Sequence, residues 1–179
     1  MATNARMIVK ILVHSWPYIY RSRQKERYGL HLLFVRSISN GKKLMSITEE
    51  IASFCTENQV TVSFLPDRER SLLIFNIADK FKLDIDRFFI WEDVKTLGHL
   101  GYSDPIEWEN RLNKYLKDFQ KEIFVVITDE NFYPWPVFKC RKQDLVRILE
   151  NQRHFEYFLF DSLQQRLLFD THHNTLVLC

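Results

Sequence analysis

Phe155-Glu156-Tyr157-Phe158-Leu159-Phe160-Asp161 is the stretch that decides the fold. After the polar Ser162-Leu163-Gln164-Gln165-Arg166 come Leu167-Leu168-Phe169-Asp170-Thr171 and, past His172-His173-Asn174, Thr175-Leu176-Val177-Leu178. Both alternation faces of the first run are apolar: Phe155, Tyr157 and Leu159 on one side, Phe158 and Phe160 on the other. A run this short, apolar on both faces, reads as a strand buried on both sides. It is taken as the centre of an antiparallel sheet, with the upstream chain supplying cover.

Working outward, Ser46-Ile47-Thr48-Glu49 is a capping-box sequence. Ile47, Ile51, Phe54 and Cys55 share one face, so the spacing predicts a helix from about Ser46 to Asn58. Val60 to Leu65 alternates as a short strand. Asp67 to Phe81 is read as helix, because Ala78, Asp79 and Lys80 are poor strand residues. The region of Gly98 and Gly101 is read as a loop. Asp104 and Pro105 then open a helix whose apolar stripe is Trp108, Leu112, Tyr115, Leu116 and Phe119. Lys121 to Thr128 and the residues from Val137 onward are strands, and Lys142 to Glu150 is a short helix. Strands come in sequential groups without βαβ alternation, which predicts an α+β single domain whose antiparallel sheet is covered by several helices.

Charge divides the chain. Residues 1–43 carry nine basic side chains against one acidic, a net +8; the remainder carries sixteen against twenty-two, a net −6. Residues 1–43 are read as a basic N-terminal hairpin or arm belonging to the same domain, and 44–179 as an acidic α+β body. No run approaches the ~18 apolar residues of a membrane span, and no signal-peptide cleavage pattern follows the first apolar stretch. Cys55, Cys140 and Cys179 are widely spaced with no CxxC, which fits a reducing cytoplasm better than a disulfide framework. No motif calls for a cofactor.

From Phe89-Ile90-Trp91-Glu92 onward the order of motifs resembles a family of small uncharacterised bacterial proteins. The shared signals are Ile123 to Asp129, Trp135-Pro136-Val137-Phe138, Glu156-Tyr157 and the closing His172-His173-Asn174. The resemblance covers about the second half of the chain. It implies an immunity protein of a bacterial toxin system and assigns no catalytic residues.

Four constellations are candidates for chemistry or binding. Asp170 with His172 and His173 could bind a metal or catalyse, if a turn brings the rings together and Asp170 orients one of them. Against that, Asp170 and Asn174 are ordinary turn residues. Cys140 stands between Lys139 and Arg141-Lys142, cations that would lower a thiol pKa, but no His and Asn partner is identifiable, so a catalytic cysteine is not expected. Arg21, Arg23, Lys25 and Arg27 with Tyr28 combine charge and stacking faces, as single-strand nucleic-acid binders do. Asp129 and Glu130 with Tyr133 and Trp135 could dock on a cationic protein. Trp108 is read as buried on its helix's apolar face. The favoured expectation is a non-enzymatic cytoplasmic immunity protein that occludes a cognate toxin through Asp129, Glu130, Tyr133 and Trp135. The alternative is a nucleic-acid-binding module built on the basic segment.

Overall fold

The computed structural model describes residues 45–85, 87, 90–92, 94–128 and 133–179. They belong to one compact unit, Met45–Cys179. The basic hairpin expected in residues 1–43, with Arg21, Arg23, Lys25, Arg27 and Tyr28, lies outside the described residues.

Among the described residues four helices form, each with an apolar face turned inward. Helix α1 (Ile47–Glu57) opens on a complete capping box: the Ser46 hydroxyl accepts from the Glu49 amide at 3.2 Å, and the Glu49 carboxylate accepts from the Ser46 amide at 2.8 Å. Ile47, Ile51 and Cys55, spaced by four, turn inward. Helix α2 (Asp67–Phe81) has no side-chain cap at Pro66 and ends on Lys82 in the left-handed region at φ 57°. Its buried face is Ile74, Ile77 and Ala78. Helix α3 (Pro105–Leu116) is capped by Asp104, whose carboxylate accepts from the Glu107 amide at 2.8 Å. Lys142 Nζ donates to the carbonyls of Leu116 (2.9 Å) and Phe119 (2.7 Å) just beyond that helix. A cation there satisfies acceptors the helix leaves open and opposes its dipole. Helix α4 (Lys142–Glu150) buries Leu145, Ile148 and Leu149.

Seven strands form one sheet: β1 (Val62–Phe64), β2 (Gly98–Gly101), β3 (Glu122–Ile127), β4 (Val137–Arg141), β5 (Tyr157–Asp161), β6 (Arg166–Thr171) and β7 (Thr175–Leu178). Their order is β1-β4-β3-β5-β6-β7-β2, and every pairing is antiparallel. Strand β5 is therefore central, and all five of its residues are buried. Strand alternation divides the core between two faces. Val125, Phe138, Tyr157, Leu159, Leu168 and Leu176 pack with residues of α1, α3 and α4. Val126, Val137, Phe158, Phe160, Phe169 and Val177 pack with α2 and with Ile85, Ile90 and Val94. Burying a side chain such as Phe138, Phe158 or Phe169 completely contributes about 1.5–3 kcal/mol each. The α+β architecture with a helix-covered antiparallel sheet is the one the terminal runs predict.

One element departs from expectation. Gly98–Gly101, read as a loop, is an edge strand in register with β7, Gly98 opposite Leu178 and Gly101 opposite Thr175. A side chain at 98 would place its Cβ 2.9 Å from the Tyr115 hydroxyl, so the strand passes close to α3 only because it has none there. Among the described residues no helix is long and apolar enough to cross a membrane.

Candidate functional site

A cavity is assembled where β5 and β6 meet the N-terminus of α3. Register places Tyr157 directly opposite Asp170, so the two side chains share one face of the sheet. Asp170 is 4% exposed. Its Oδ1 accepts from the Tyr102 hydroxyl at 2.7 Å, and its Oδ2 accepts from Trp108 Nε1 at 2.7 Å. The Asp104 cap fixes the first turn of α3 and hence the indole. The Tyr102 amide, which donates to the Asn174 carbonyl at 2.8 Å, fixes the approach to that helix. Trp108 is thus half-buried and polar-tethered, where the stripe predicted an apolar burial.

Tyr157 is buried with its hydroxyl facing the same carboxylate. Its geometry falls short of an ordinary hydrogen bond, but Asp170 is the acceptor it faces and the group that it pairs with electrostatically. Burial raises the Asp170 carboxyl above its usual range, while the hydrogen bonds it accepts and the nearby His154 oppose the rise. Burial, and then the charge of Asp170, hold the Tyr102 and Tyr157 hydroxyls in their protonated form.

A cavity of about 330 Å³ opens onto this network. Tyr102, Pro105, Trp108, Leu149, Phe155 and Tyr157 supply its walls, and Asp170 its buried charge. Glu150, Arg153 and His154 stand exposed where it meets solvent. Arg153 is engaged by Glu50 and by the Met45 carbonyl at 3.3 Å. The volume falls at the lower end of the range of small-molecule sites.

The constellations suggested by the sequence fare differently. His172 and His173 do converge on the β6–β7 turn, with ring centroids 3.9 Å apart. Their orienting carboxylate is Glu156, which pairs with the His172 ring and accepts from its amide at 3.2 Å; Asp170 turns instead to Tyr102 and Trp108. Among the described residues no trio of His, Cys, Asp or Glu could hold a metal ion. The cations beside Cys140 in sequence do not act on its thiol. Strand alternation points Lys139 and Arg141 away from it, and they pair with Glu122 and Asp144. Burial first, then Asp144 and Cys55, push the Cys140 thiol up to about 12. Trp135, 7% exposed, is buried in the second core cluster with Tyr133 against its edge, ring centroids 6.0 Å apart, and so offers little surface to a partner. Asp129 and Glu130 lie outside the described residues.

Sequence reasoning misses Tyr102, Trp108 and Tyr157 as parts of a site. The available signal is Asp170 itself, a carboxylate two residues from Leu168 on the same inward face of an apolar strand.

No family model matches the chain, and no solved structure matches it. The sequence is similar to a type II methyltransferase, M.NgoBI of Neisseria gonorrhoeae, at 32% identity over 120 aligned residues. The alignment covers 55% of this chain and 37% of the relative, so the chain spans little more than a third of that protein's length. The relative is an enzyme, and this similarity overturns the expectation of a non-enzymatic immunity protein.

Proposed function

We propose that this chain works in methyl transfer to nucleic acid, with the cavity over Asp170 receiving the acceptor base. The observation that carries the reading is the similarity to a type II methyltransferase. Enzymes that modify a base draw it out of the stack into a pocket and read it by stacking and by hydrogen bonds to its edge. An aromatic-walled cavity with one buried carboxylate supports that use. The basic head also supports it: nine basic residues against one acidic within residues 1–43, interleaved with Trp16, Tyr18, Tyr20 and Tyr28, suit a phosphate backbone and unstacked bases. A reducing cytoplasm is the compartment this reading assumes, and the three unpaired thiols favour it.

A methyl donor supplies the electrophilic methyl group in such a reaction. Nucleotide-type donors are cradled in parallel α/β folds by a glycine-rich turn between a strand and a helix. Among the described residues every strand pairing is antiparallel, and Gly98 and Gly101 lie inside edge strand β2. The described residues do not fit such a cradle, so this unit is given the acceptor side alone.

Fluorescence anisotropy with a labelled DNA duplex tests the reading on the full chain. Binding should weaken as salt rises. Replacing Arg21, Arg23, Lys25 and Arg27 together by Gln should flatten the log–log salt slope by up to about 3–4, roughly one for each phosphate no longer neutralised. A full chain that does not hold the duplex or its single strands in 50 mM salt, about the lower end of the range where such contacts are strong, would sink it.

A further inference from the structure

We draw no further inference here: the strongest candidate, the side-chain cluster of His172, His173 and Glu156 at the β6–β7 turn, makes up no group of ligands that could hold a metal ion among the described residues, and nothing else in the structure there points to a ligand.

Discussion

Replacing Asp161 by Asn should destabilise the fold by about 2–4 kcal/mol, through one side chain that links distant parts of the sheet. Asp161 is wholly buried at the end of β5. Its Oδ1 accepts from the amides of Leu163 (2.9 Å) and Gln164 (3.0 Å), closing the β5–β6 turn. Its Oδ2 accepts from the Gln120 amide at 2.7 Å, 41 residues away, in the connection leading from α3 to β3. An Asn side chain keeps one acceptor and adds a donor. In either amide orientation, at least one backbone N–H then confronts another N–H. With the oxygen left at the turn, the loser is the Gln120 amide. The loss of a charge-assisted bond and the stranding of a part-buried donor set the estimate, each being worth about 1.5–3 kcal/mol without full additivity. Asp161→Ala adds only about 1 kcal/mol more, because the two turn amides lie near solvent and can recruit water. For a chain of this length the midpoint should fall by roughly 10 °C. Urea unfolding followed by tryptophan fluorescence gives the free energy, with an unchanged m-value as the sign that compactness is preserved. An Asn variant within about 0.5 kcal/mol of wild type would mean that the carboxylate does not anchor the turn to the α3–β3 connection, since that is the scatter of ordinary surface changes.

Two other consequences can be measured directly. The Asp170 carboxyl is raised from 3.8 in the folded state, so the native protein holds that proton more tightly than the unfolded chain. Its contribution to stability is full below about 3.8 and is lost as pH rises through the elevated native value. The stability of wild type relative to Asp170→Asn should therefore decline with pH above that point; a flat or rising difference across a pH series of urea titrations would refute the account. The thiols make the second case. Cys55, Cys140 and Cys179 are free and buried, and burial pushes the Cys179 thiol up to about 11. A disulfide reagent at pH 8 should titrate none of them promptly in the native protein and all three in urea, so prompt reaction of Cys140 in the folded state would show that strand β4 is open to solvent.

The parts of the fold that could be read from the sequence are those where local chemistry and long-range packing agree. Asp104 followed by Pro105 both starts a helix and caps it, and Ser46 with Glu49 closes on itself without help from the rest of the chain. The terminal runs are equally legible, because apolar residues on both alternation faces require cover from both sides. Gly98-His99-Leu100-Gly101 offers no such pattern. Its strand conformation comes from the free edge of β7 and the room that Gly98 leaves for the Tyr115 hydroxyl, neither of which is a local property.

The candidate site is hidden for a related reason. Lys139 and Arg141 flank Cys140 in sequence and suggest an activated thiol, yet the two-residue period of a strand sends them to the opposite face. Asp170 stands next to Thr171 and the His pair, and proximity along the chain suggests that it serves the imidazoles. The same period turns it inward with Leu168, where Tyr157 of β5 is its cross-strand neighbour and Tyr102 and Trp108 come from 62 to 68 residues upstream. Glu156, one residue before β5 and adjacent in sequence to Tyr157, is left to meet His172. The strand parity rule therefore sends Glu156 to an exposed turn and Asp170 to a buried cavity. Applying that rule requires the register of β5 against β6, which is set by the Asp161 turn. A one-residue slip there would send every residue of β6 to the opposite face of the sheet, removing Asp170 from the cavity altogether.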